Sequence, residues 1–169
     1  KAQYVKKSFR VKFPLYIITF ASMQNIRVNI INTSSNELPA YATSGSSGMD
    51  IRANLQSDVL LQPLERQLIP TGLFIELPEG YEAQMRPRSG LAIKQGITCL
   101  NSPGTIDADY RGELKVILIN LSNMPQVIQH GDRIAQMIVA KVERAELVMV
   151  NELNGSLRGE GGFGHTGIK

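Results

Sequence analysis

NIRVNII, Asn25–Ile31, alternates along its whole length. Ile26, Val28 and Ile30 fall on one side, Arg27 and Asn29 on the other. That is the pattern of a strand with one face on a core. The pattern returns in Arg66–Ile69, Leu73–Leu77, Tyr81–Arg86, Leu114–Leu121 and Arg133–Val142. Prolines 63, 70, 78, 87, 103 and 125 stand between or at the edges of these runs, where a missing N–H harms a ladder least. Glycines 72, 80, 96, 112 and 131 supply the turns. Many short strands with turn signals at close spacing predict an all-β sandwich or barrel of the jelly-roll type. The one helix signal is SGLAIK, Ser89–Lys94, with Ser89 placed to cap a single turn.

The chain has 169 residues, enough for one domain with a sizeable core. Its net charge of +3 owes much to Lys1, Lys6, Lys7, Arg10 and Lys12, so the body is nearly neutral. A protein that coats nucleic acid would show a basic face, and this one is expected to bind none. The single cysteine, Cys99, has no partner for a disulfide or a zinc site, which predicts a reducing, cytoplasmic setting. No apolar run reaches the ~18 residues of a membrane span, and no membrane partner is expected. Residues 1–22 are basic and then briefly apolar, a weak likeness to a signal peptide. Because Pro14 opens the apolar part and Met23 is followed at once by strand pattern, they are expected to be an N-terminal extension outside the fold. The domain proper is expected over 23–150. Residues 151–169 leave the strand pattern and turn polar and glycine-rich; alone they bury too little to stay ordered.

Five stretches carry chemistry. PRSGLA, Pro87–Ala92, offers the planar donor fork of Arg88, the Ser89 hydroxyl and free N–H groups at a helix start, a set suited to phosphate and equally to a plain capped turn. GTIDADYRGEL, Gly104–Leu114, places Asp107, Asp109 and Arg111 on one face if extended, the company a general base needs; a solvated rim would read the same. Tyr110 adds an aromatic plate. ATSGSSGMD, Ala42–Asp50, is a small-residue loop ending in an acid that suits a water of hydrated Mg²⁺, or else a simple linker. GDRIAQMIV, Gly131–Val139, sets Arg133 and Gln136 on a strand. RGEGGFGHTG, Arg158–Gly167, has N–H groups to wrap phosphates, and its Phe163 is free of neighbours to lie on a base.

In this order and at these intervals, the five stretches together resemble the trimeric dUTP pyrophosphatases, the dUTPases. The likeness runs from Ala42 to Gly167. It implies the family's jelly-roll-like β-clip fold with one short helix, a homotrimer with three shared sites, and a flexible C-terminal tail that serves as a lid. It implies Mg²⁺-assisted conversion of dUTP to dUMP and pyrophosphate, which feeds thymidylate synthesis and keeps uracil out of DNA.

Roles follow from the same resemblance. One subunit would supply Asp50, Arg88, Ser89 and Gln136, a second the hairpin around Asn101–Tyr110, and a third its tail. Asp107 would be the base and Asp50 would touch the metal through water. Arg88, Ser89 and Gly90 would place the phosphates, supported by Arg133 and Gln136. Asn101 and the backbone of Gly104, Thr105 and Ile106 would read uracil, Tyr110 would lie under the sugar, and Lys115 would be a further nucleotide contact. Arg158, Phe163, Gly164, His165 and Thr166 would close over the ligand; His165 stands where many relatives carry serine. A dCTP deaminase of the same fold would lack this tail and carry a glutamate in place of the D-x-D-Y run. A silent nucleotide-binding trimer would have no need of the full set.

Overall fold

A computed structural model describes residues 25–162. Eleven strands and one seven-residue helix lie among them, the all-β architecture that the short alternating runs predict. The strands are β1 (Asn29–Asn32), β2 (Met49–Arg52), β3 (Val59–Leu61), β4 (Arg66–Pro70), β5 (Leu73–Glu76), β6 (Tyr81–Arg86), β7 (Ile97–Cys99), β8 (Gly104–Ile106), β9 (Lys115–Asn120), β10 (Gln126–Ile128) and β11 (Arg133–Lys141). Helix α1 spans Ser89–Gln95. No helix among the described residues is long and apolar enough to cross a membrane. The expected extension, residues 1–22, lies outside the described residues.

Four antiparallel groups are built from these strands: β2-β11-β6-β8, β4-β9-β7, β1-β5 and β10-β3. β11 organises the largest. Its inward residues Ile134, Ala135 and Met137 are buried, and it pairs β2 on one side and β6 on the other. The register across these strands sets Asp50 opposite Gln136 and Gln136 opposite Arg86. A register shift between Arg133 and Ala135 bends the start of β11, so that Arg133 still faces Arg52. β8 pairs only β6, with Ile106 opposite Ala83, and forms the sheet's edge.

Ile51, Leu61, Ile69, Ile97, Leu114, Val116, Leu118, Ile128 and Ile134 fill one core between the sheets. Each such side chain contributes roughly 1.5–3 kcal/mol by leaving water. Two buried polar residues are fully engaged. Asn120 donates to the carbonyls of Leu61 and Met124 and accepts from Ser122 N–H and hydroxyl. Thr71 donates to the Leu114 carbonyl at 2.6 Å. Burial raises the Cys99 thiol to about 11, so at neutral pH it is a protonated core group.

The structure departs from the sequence reading in four places. The strand read over Asn25–Ile31 pairs only from Asn29, because its partner β5 ends at Glu76 and leaves Asn25–Val28 without a ladder. Val28 and Ile30 still pack against the core. Ser89 is the first helical residue and caps nothing; the cap position belongs to Arg88, whose extended backbone feeds the helix without a side-chain bond. The hairpin expected around Asn101–Tyr110 is not formed: β7, ending at Cys99, pairs β9, while β8, ending at Ile106, pairs β6 in another sheet. The stretch 42–50 is not loop throughout: it ends in β2, so Asp50 sits on a strand.

Candidate active site

Asp50 is the meeting point of three of the side chains singled out in the sequence. Its neighbours on β2 are held by β11, which brings Gln136 beside it. Arg88 Nε donates to Asp50 Oδ1 at 2.9 Å. Arg133 Nη1 donates to Oδ2 at 3.2 Å, and Gln136 Nε2 reaches Oδ1 at 3.4 Å. Arg88 Nη1 also donates to the Arg133 carbonyl at 3.2 Å. The Asp50 and Arg88 side chains are about a quarter exposed, which leaves their ion pair partly desolvated and stronger than a surface one. Ser89 and Gly90 follow Arg88 on the exposed start of α1; the first helical bond there is Ala92 N–H to the Arg88 carbonyl, so the N–H groups of Ser89 and Gly90 have no intrahelical acceptor.

A cavity of about 330 Å³ opens over Asp50 and Gln136. Ser46, Ser47, Gly48, Arg86, Pro87 and Ile138 complete most of its wall. The sequence reading missed Arg86 and the two serines. The signal for Arg86 is the register itself, which sets it opposite Gln136.

Asp107 lies elsewhere. It follows edge strand β8 and lines a second, open cavity of about 1020 Å³ with Tyr81, Glu82, Asp109, Arg111, Glu143 and Arg144. The two cavities share no lining residue. Three strand spacings separate β2 from β8, about 14 Å, and Asp107 continues β8 toward the Glu82 end of β6, about 13 Å along the strands from Arg86. Both residues therefore cannot act on one phosphorus within a single chain.

The Asp107 carboxylate has no hydrogen-bond or ion-pair partner among the described residues. Arg111, expected beside Asp107 and Asp109, turns to the carbonyls of Ala108 and Tyr110 instead, at 2.7 and 3.0 Å, and to Glu76 at 3.4 Å. The extended segment assumed for that expectation ends at Ile106, and a turn over 108–109 rotates the side chains apart.

Asn101 packs on the same edge: a Cβ at Gly104 would meet its Nδ2 at 3.0 Å, so a side chain there would press on the amide. The outer N–H and C=O groups of Gly104, Thr105 and Ile106 face no further strand. Tyr110 donates to the Glu113 carbonyl at 3.1 Å and is about half exposed, and its ring covers Gly112 so closely that any Cβ there would collide with it. Lys115 lies 3.4 Å from the Glu113 carboxylate. Among the described residues, the Arg158 side chain bonds only within its own turn, to the Gly161 carbonyl. Phe163, Gly164, His165 and Thr166 lie outside the described residues.

A family profile described as dUTPase matches residues 34–167. The chain belongs to the dUTPase family. It is 64% identical over 140 residues to a deoxyuridine 5'-triphosphate nucleotidohydrolase of Cytophaga hutchinsonii, covering 83% of this chain and 91% of that one. It is 57% identical over 145 residues to the protein of the same description from Fusobacterium nucleatum, covering 86% and 99%. Among solved structures, the Staphylococcus bacteriophage 80alpha dUTPase with dUpNHpp superposes with a TM-score of 0.74 at 25% identity, over 85% of this chain and 100% of that one. A point mutant of the dUTPase from phage phi11 of S. aureus, described for the coordination of a structural Mg(II) ion, shares the fold with a TM-score of 0.69 at 23% identity, over 77% and 100%. The β-clip, jelly-roll fold is thus the fold of this dUTPase-family chain.

Proposed function

We propose that this dUTPase-family protein hydrolyses dUTP to dUMP and pyrophosphate at sites assembled between the subunits of a homotrimer. The observation that carries the reading is the division of the working residues within one chain. Arg88, Arg133 and Gln136 converge on Asp50, which with Gln136 lines one cavity, and Asp107 stands unpartnered, among the described residues, over another. Two chains in a closed threefold ring bring one half against the other.

In this reading Asp107 takes a proton from water as the water oxygen bonds to the α-phosphorus. The bond from that phosphorus to the bridging oxygen breaks, and pyrophosphate leaves. Arg88 and the N–H groups of Ser89 and Gly90 hold the phosphates in line, with Arg133 and Gln136 behind them. Asp50 fixes the direction of both guanidinium groups, so the donor fork is preformed before substrate arrives. The residues also suit a hydrated Mg²⁺: among the described residues Asp50 is the one carboxylate lining its cavity, and Mg²⁺ is commonly held by one or two carboxylates, water and substrate phosphate. When bound there, Mg²⁺ draws negative charge from the triphosphate.

Base choice rests on edge strand β8. Its free backbone groups at Gly104–Ile106, with Asn101, pair with uracil. Cytosine reverses the donor and acceptor at its 4-position and leaves buried groups unpaired. Tyr110 lies under the sugar and leaves no room for a 2'-hydroxyl, and Lys115 is a more distant contact. The domain of residues 23–150 carries these groups, and residues 151–169 close over them, with Arg158, Phe163, Gly164, His165 and Thr166 covering base and phosphates.

The test is pyrophosphate release from dUTP, dCTP, dTTP and UTP with Mg²⁺, and with EDTA as control. Release from dUTP alone, lost in EDTA, is the expected result. Ammonia from dCTP, or no turnover of any nucleotide by the folded protein, would contradict it.

A further inference from the structure

We propose that Arg111 is a positioning residue for Asp107, acting through the backbone. The inference rests on the reading of Asp107 as the base. A base must hold its carboxylate in a fixed direction. No side chain among the described residues does this for Asp107, so its direction comes from the main chain that carries it.

That main chain has three restraints. β8 is tied to β6 as far as Ile106, opposite Ala83. The Tyr110 N–H donates to the Asp107 carbonyl at 3.2 Å. Beyond that, the turn is exposed, and Arg111 holds it. One guanidinium nitrogen donates to the carbonyls of Ala108 and Tyr110 at 2.7 and 3.0 Å. The other terminal nitrogen pairs with Glu76 on β5 at 3.4 Å. Glu76 is itself held by Asn29 of β1, which donates to its second oxygen at 2.8 Å. The two-stranded sheet β1-β5 thus anchors the turn that aims Asp107. The ion pair alone would carry little, since both side chains are about half exposed. The two carbonyl bonds give it a structural task, because they are charge-assisted and fix a turn that otherwise has one bond. A lysine offers no planar fork and cannot serve two carbonyls and a carboxylate in this geometry.

The experiment compares Arg111→Ala and Arg111→Lys with the unmodified protein, each alone and with Asp107→Asn. It reads kcat, KM, dUpNHpp affinity, melting temperature and assembly mass. In Arg111→Ala, kcat falls by about tenfold to a hundredfold, as a displaced catalytic group requires. dUpNHpp affinity, melting temperature and mass stay at their original values. Arg111→Lys, which keeps the pairing with Glu76, falls between. In the Asp107→Asn background, Arg111→Ala lowers the residual rate no further. Three results would overturn the proposal: unchanged kcat, a joint loss of kcat, affinity and melting temperature, or a further loss in the Asp107→Asn background. Full activity in Asp107→Asn by itself would instead overturn the base assignment.

Discussion

Asp107→Asn removes turnover and leaves the fold and nucleotide binding in place. Asp107 is exposed and makes no side-chain bond among the described residues, so its replacement by an amide of the same shape breaks no structural contact. Its pairing with Tyr110 runs through the backbone carbonyl and survives. The amide cannot accept the proton of the attacking water. General-base contributions of roughly 10²–10⁴ set the expected loss, and kcat falls by about 10³ or more. Pyrophosphate release measures it, with dUpNHpp titration and thermal melting as controls. A variant that turns over dUTP at the original rate would show that another group is the base.

Deletion of Glu152–Lys169 is expected to cost most of the activity and none of the stability. Residues 152–160 are exposed, and their bonds are local: Arg158 to Gly161, and Gly159 N–H to Ser156. No residue of the described core packs against or bonds to 152–160, so the melting temperature is expected to hold. Without the tail, the bound triphosphate stays open to bulk water, and its phosphates lose the donors of Arg158 and the glycine-rich stretch. A fall of about 10² in kcat/KM is expected from loss of a closing segment. Near-original kcat/KM in the shortened protein would show that the tail is no lid. A lower melting temperature would show that it belongs to the body.

The strands legible in the sequence are those long enough to alternate. Tyr81–Arg86 reads with its observed bounds, and the runs at β4, β5, β9 and β11 differ by a residue or two at their ends. β3, β7, β8 and β10 have three residues each, too few for a period of two to declare itself. β2 is hidden behind the serines and glycines that precede it. The false hairpin around Asn101–Tyr110 arises because sequence neighbours usually pair, whereas β7 and β8 join different sheets.

The candidate site is legible as residue types and not as contacts. Asp50, Arg88 and Arg133 stand far apart in sequence, and they meet only because β11 pairs β2 on one side and β6, which leads into Arg88, on the other. Arg111 reads as a companion of the acids in its own segment because local alternation is all that a sequence offers there. Its acidic partner, Glu76, lies 35 residues away on β5. The separation of Asp107 from Asp50 also becomes visible only when both are placed on one sheet.

That separation requires each site to draw on two subunits, and mixing of subunits probes this. Asp107→Asn and Arg88→Ala are each inactive in the proposed reading, since each ruins every site of its own trimer. Unfolded together in equal amounts and refolded, they would form mixed trimers in that reading. A site that takes Arg88 from one chain and Asp107 from the next is intact in about a quarter of cases. Recovery of about a quarter of the original dUTP turnover, from two preparations that have none, is the expected result. Mixed trimers that stay as inactive as their parents would mean that one chain supplies both residues, and would contradict the shared site.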